Sequence, residues 1–278
     1  MRIDSHQHFW KYNPVRDQWI TDEMTVIRKD FLPDDLLPEL QANQIDGCLA
    51  VQADQSEAET QFLLDLAKQN SFIRGVVGWI DLRANNLAER LASLSQNKKL
   101  RGFRHIVQAE PDDRFMLQPQ FLRGIGCLSD FGFTYDILIY PRQLPAAIEL
   151  VARFPQQPFV IDHIAKPEIK ANRTMPWAQY MREIAQAVNV YCKASGICTE
   201  ADWKTWCLAD CSRYLDIVFE AFGPERIMFG SDWPVCLLAG SYSQVVQLIS
   251  DYTRNFSSTD KEKIFGLNAA RFYRIADC

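Results

Sequence analysis

The chain has 278 residues, of which 47% are hydrophobic and 23% charged, a globular balance with material for a full core. Its net charge of −5, with no block of like charges, argues against nucleic acid as a main partner. No apolar run approaches the roughly 20 residues that span a bilayer, and Arg2 and Asp4 interrupt any apolar leader, so neither a membrane segment nor a signal peptide is expected.

The first informative element is strand 2–6, which leads into Ser5-His6-Gln7-His8-Phe9-Trp10. Side chains at i and i+2 of a strand share a side, so His6 and His8 project together from its carboxyl end. Two imidazoles held that close can bind one metal ion or polarise one carbonyl. Residues 9–44 follow as an insert carrying Trp10, Tyr12, Trp19 and three prolines, placed to cover a barrel mouth. Further strands are expected at 45–53, 73–80, 100–107, 133–140, 158–164, 189–196 and 226–231. They read as nearly continuous apolar runs, as strands buried on both faces do.

Helical pattern fills the intervals: Glu57 to Gln69, Leu87 to Ser95, Pro145 to Phe154, Met175 to Ala187, Glu200 to Phe222, Tyr242 to Arg254 and Thr259 to Tyr273. The last opens with Ser258 or Thr259 as a cap and Glu262 placed for a capping box. Eight strands alternating with helices predict an α/β fold, a (β/α)8 TIM-type barrel in a single domain over 1–278. A doubly wound open sheet is the rival, but no glycine-rich turn follows the first strand. The eight cysteines are scattered without a Cys-x-x-Cys pair, which is the usage of a reducing, cytoplasmic compartment.

Active sites of such barrels are built from the carboxyl ends of the strands. The polar residues expected there are His6 and His8, then Trp79 and Asp81, Arg104 and His105, Asp136 and Tyr140, Asp162, His163 and Lys166, Lys193 and Ser195, and Ser231-Asp232-Trp233-Pro234. All four histidines of the chain fall at strand ends. Each residue also has an ordinary reading: His163 could satisfy a backbone carbonyl, Asp232 could cap a helix, and Lys166 and Lys193 could be surface ion pairs. Asp4 lies on a different side from His6 only if the pleat is irregular.

The opening Asp4-Ser5-His6-Gln7-His8-Phe9-Trp10 resembles the first strand of the amidohydrolase superfamily. The runs Gly78-Trp79-Ile80-Asp81-Leu82, Arg101-Gly102-Phe103-Arg104-His105, Asp162-His163-Ile164-Ala165-Lys166-Pro167, Tyr191-Cys192-Lys193-Ala194-Ser195-Gly196 and Phe229-Gly230-Ser231-Asp232-Trp233-Pro234 narrow the resemblance to its lactonase branch. So does the closing Asn268-Ala269-Ala270-Arg271-Phe272-Tyr273. That branch contains sugar-lactone hydrolases and pyrone dicarboxylate lactonases.

The resemblance implies a hydrolase of a small-molecule lactone. Asp232 would activate water, and His6, His8 and His163 would polarise the carbonyl. Trp79, Arg104, His105, Tyr140, Lys166 and Trp233 would bind substrate. Binuclear members carry a bridging lysine or glutamate at strand four and further histidines, which are absent here. The implied cofactor is therefore at most one divalent ion, zinc or manganese, on His6, His8 and Asp232, and catalysis without a metal fits as well. Arg104 and Arg142 are few cations for a dicarboxylate, so a sugar-acid (aldono) lactone is favoured. A pyrone dicarboxylate-type lactonase and a metal-dependent decarboxylase are the alternatives, and the aromatic insert leaves room for a homo-oligomer.

Overall fold

The computed structural model describes residues 1–275. Eight parallel strands lie in sequence order: β1 (Ile3–Gln7), β2 (Gly47–Val51), β3 (Ile73–Gly78), β4 (Leu100–His105), β5 (Thr134–Ile137), β6 (Phe159–Ile161), β7 (Val190–Ala194) and β8 (Ile227–Phe229). Each lies within a segment read as strand from its apolar run, apart from the end of β1 at Gln7. The barrel closes just beyond β8, where Gln7 bridges Trp233 and the His8 N–H donates to the Trp233 carbonyl at 2.7 Å. This closure is a (β/α)8 barrel.

The helices are α1 (Pro33–Ala42), α2 (Glu57–Gln69), α3 (Leu87–Leu94), α4 (Pro119–Leu128), α5 (Leu144–Arg153), α6 (Trp177–Ile184), α7 (Ile197–Glu200), α8 (Leu208–Phe222), α9 (Tyr242–Tyr252), α10 (Ser258–Glu262) and α11 (Asn268–Phe272). Neither α1 nor α4 was expected, although each opens on a proline, whose fixed φ and missing N–H suit a first helical position. Two expected helices are broken. The stretch from Glu200 to Phe222 divides because Asp210 accepts the Cys207 N–H and starts α8 afresh, while Trp203 and Trp206 turn their indoles to Thr199 and Ala239 carbonyls. The final helix is capped by Ser257 rather than Ser258 or Thr259, and a π-turn over Lys263–Leu267 separates α10 from α11.

Two apolar clusters hold the fold. One fills the space between strands and helices. The other joins Ile3, Leu49, Val51, Val77, Val160 and Met228 of the strands to Phe272 and Tyr273 at the C-terminal helix. The polar site lies at the opposite, carboxyl ends of the same strands. No helix among the described residues is long and apolar enough to cross a membrane.

Candidate active site

The pleat of β1 is irregular: its pairing with β2 shifts register between Asp4 and Gln7. Asp4 consequently faces α9, where Tyr242 donates to its Oδ2 at 3.0 Å, while its Oδ1 accepts the N–H groups of His6 and Ser231 at 3.1 and 2.9 Å. It ties the first strand to the turn after the last. Burial raises its carboxyl to about 6 against these hydrogen bonds. The shift leaves His6 and His8 on one side.

Their Nε2 atoms stand 3.2 Å apart. Asp232 Oδ1 lies 3.3 Å from His8 Nε2, 3.8 Å from His6 Nε2 and 3.9 Å from His163 Nε2. Far atoms orient each ring. His8 Nδ1 lies 2.7 Å from the Val51 carbonyl, to which it must donate, so Nε2 keeps a lone pair. His163 Nδ1 meets Ser195 Oγ at 2.9 Å, and His6 Nδ1 faces Asp162 Oδ1 at 3.3 Å. Burial holds the three imidazoles below their usual range, His6 and His163 well below it, which favours the neutral, ligating form. Burial alone would raise the Asp232 carboxyl, but His163 and the His8 hydrogen bond outweigh it and keep the group below the usual carboxylate range.

Two glycines make the room. A Cβ on Gly196 would sit 2.5 Å from His163 Nδ1, and one on Gly230 would sit 2.7 Å from the His6 Cβ. Asp232 itself has φ of 58°. After β6 the backbone is stranger still: His163, Ile164, Ala165 and Lys166 have φ of 53°, 47°, 58° and 48°. Each such residue costs roughly 1–2 kcal/mol relative to the right-handed form.

Beneath the histidines runs a layer of buried charge that joins Lys193, expected at most as a surface ion pair, to Asp136, Asp162 and Arg104, the last of these expected at substrate. Lys193, wholly buried, lies 2.6 Å from Asp136 and 3.0 Å from Asp162, with its Nζ 3.1 Å from His6 Nδ1. Arg104 pairs with Asp162 at 3.0 Å and with the Gln52 carbonyl. Burial would raise the Asp162 carboxyl, but Lys193, His6 and Arg104 together hold it well below the usual range. Strand-end position was the only signal for Lys193 and Asp162, and it did not distinguish them from surface pairs.

Above lies a cleft of about 450 Å³. His8, His163, Asp232, Arg104, Tyr140 and Lys166 line it, as do Trp10, Trp19 and Met24 of the 9–44 segment. Gln55, Glu200 and Trp203 line it too and were not anticipated; Gln55 sits in a loop, while Glu200 ends α7 and Trp203 follows it, a stretch that periodicity reads as one continuous helix. Lys166 Nζ is 3.7 Å from Glu200 and 5.7 Å from the Tyr140 ring centre. Three residues expected at substrate are placed elsewhere. Trp233 packs on Phe9 and Phe31. The Trp79 indole donates to His105 Nδ1 at 3.2 Å, and His105 Nε2 meets Glu110 at 2.7 Å.

The donor set suits one divalent ion of the zinc class. Zinc–nitrogen bonds of about 2.0–2.1 Å imply tetrahedral edges of about 3.3–3.4 Å. Among His6, His8 and Asp232 the separations of 3.2, 3.3 and 3.8 Å lie around that value. Each ring has an outer partner on its far nitrogen, as ligating histidines do.

An amidohydrolase family model matches residues 3–275. An L-fucono-1,5-lactonase of Burkholderia multivorans is 42% identical over 288 residues, spanning 100% of this chain and 97% of that protein. An L-fucono-1,5-lactonase of Burkholderia ambifaria is 36% identical over 278 residues, spanning 99% and 96%. A crystal structure of an amidohydrolase from Burkholderia multivorans with bound zinc superposes with a TM-score of 0.96 at 42% identity, over 99% of this chain and 100% of that one. The chain belongs to the amidohydrolase family.

Proposed function

We propose that this protein hydrolyses the ring ester of a sugar-acid (aldono) lactone. The observation that carries the reading is the convergence of His6, His8, His163 and Asp232 at the floor of a cleft walled by tryptophans. Similarity to two L-fucono-1,5-lactonases over essentially the whole chain supports it.

Ester hydrolysis needs an activated water and a stabiliser for the oxygen that gains charge. Asp232 is held ionised, and its Oδ1 faces the three histidines. Its Oδ2 takes the proton of the attacking water and later returns it to the departing ring oxygen. His6, His8 and Asp232 would hold a divalent ion, which when bound supplies a Lewis acid for the lactone carbonyl, with His163 beside it. Tyr140 and Trp203 offer faces for the sugar ring, and Lys166 with Glu200 offers a donor and an acceptor for its hydroxyls. The 9–44 segment closes one wall through Trp10 and Trp19.

The cations of the cleft speak for a neutral polyol over a dicarboxylate. Arg104 is paired with Asp162 and Lys166 stands beside Glu200, so neither offers an uncompensated charge. The test is a pH-indicator assay on freshly prepared aldono-1,5- and 1,4-lactones, with and without a strong chelator. Turnover of a hexono- or 6-deoxyhexonolactone is expected. Absence of turnover on the whole panel would overturn the reading.

A further inference from the structure

Four consecutive residues with side chains, none of them glycine, form a left-handed turn at the heart of the site. The turn closes through the Lys166 N–H, which donates to the His163 carbonyl at 2.8 Å. Its two ends, His163 and Lys166, both reach the cleft. Left to itself this stretch would relax to the right-handed form, because Cβ and carbonyl clash in the left-handed one. Something outside the turn must hold it.

We propose that Trp177 helps to hold the left-handed form of this turn and is thereby a positioning residue for His163 and Lys166. The buried indole, at the first position of α6, donates its Nε1–H to the Ile164 carbonyl at 2.7 Å. A right-handed turn would swing that carbonyl away and leave a buried donor without an acceptor, which proteins rarely tolerate. Ile164 and Ala165 are themselves buried, and Gly196 leaves the hollow in which the His163 ring lies. The indole is braced by Tyr214 of α8, ring centres 5.5 Å apart. The Tyr214 hydroxyl faces the carbonyls of Glu168 and Arg173, outside the turn. The same aromatic pair thus offers one contact to the turn and another beyond it, which makes Tyr214 the control. Only the catalytic consequence rests on the lactonase reading.

The chain has four histidines, so the imidazole nitrogens of the full-length protein labelled with 15N-histidine give a small set of NMR signals, with His163 assigned through His163→Asn. Trp177→Phe and Tyr214→Phe are compared with wild type for these signals and for kcat/KM. In Trp177→Phe the His163 signals are expected to move as its Ser195 contact is lost, and kcat/KM to fall about tenfold or more, the scale seen when an outer partner of a site histidine is removed. Tyr214→Phe is expected to leave both readouts at wild-type values even if it lowers stability. Unmoved His163 signals in Trp177→Phe, or equal changes in the two variants, would overturn the proposal. Should Trp177→Phe not fold, benzothienylalanine at position 177 keeps the bicyclic ring, lacks the N–H and carries the same test. If wild type turns over no lactone, the functional reading fails, while the ring signals still decide the positioning.

Discussion

The chain ends two groups of strands with histidines, and the two groups have opposite fates. His105, the last residue of β4, is spent. Its Nδ1 accepts the Trp79 indole N–H, its Nε2 meets Glu110, and its ring stacks on Phe115 with centres 4.9 Å apart. No lone pair is left for chemistry. His6, His8 and His163 each have one nitrogen oriented by Asp162, Val51 or Ser195 and the other turned toward Asp232. All four side chains are buried. What separates the two groups here is where the second nitrogen faces: Glu110 for His105, and the Asp232 carboxylate for the other three, with Arg104 Nη1 also 3.2 Å from His6 Nε2.

That contrast can be broken from either side. The largest effect is expected at Asp232. Asp232→Asn keeps the shape, removes the base and should lower kcat by about 10²–10⁴-fold in the lactone assay. Near-wild-type turnover would sink its role. Next comes His8→Asn, which should weaken zinc binding in a competition titration by more than the roughly 10–100-fold that loss of an outer partner costs. Unchanged affinity would remove His8 from the donor set.

The same count of partners extends to Glu59, a buried carboxylate that accepts the Ala53 N–H and has been pushed up by burial to about 7. With its folded value above its ordinary one, the protonated form supports folding fully at low pH. That support is lost as pH rises from about 4.5 through about 7. Glu59→Gln should therefore gain up to about 3 kcal/mol over wild type at pH 8 and under about 1 kcal/mol at pH 5. Urea midpoints at the two pH values check this, and equal gains at both would refute it. The smallest effect on function is expected at His105. His105→Leu strands the Trp79 donor and should cost about 1–3 kcal/mol of stability. Its kcat/KM should change by less than about threefold. A large loss of turnover without loss of stability would erase the distinction between the two groups.

The alternation of apolar runs and helical periods was enough to predict the barrel, because strands buried on both faces and amphipathic helices are written locally in residue type. Helix ends were less legible. Cys207 and Asp210 restart a helix that periodicity alone would run through, and Gly266, within the π-turn before Asn268, lies so close to the Met1 backbone that a Cβ would clash. Prolines at 33 and 119 marked two helix starts that passed unread.

At the site, strand-end position singled out His6, His8, His163 and Asp232, because the carboxyl end of a barrel strand is a place that sequence order alone assigns. It singled out Trp79, His105 and Trp233 equally, and these the fold turns to other partners. Residue type and order thus determined the barrel and the rim on which polar groups stand. Tertiary structure alone decided which groups meet, through the register shift after Asp4, the left-handed turn over 163–166 and the buried Lys193–Asp162–Arg104 layer. Those depend on hydrogen bonds and charges contributed by residues distant in sequence, such as Trp177 to Ile164 and Tyr242 to Asp4, and no local pattern records them.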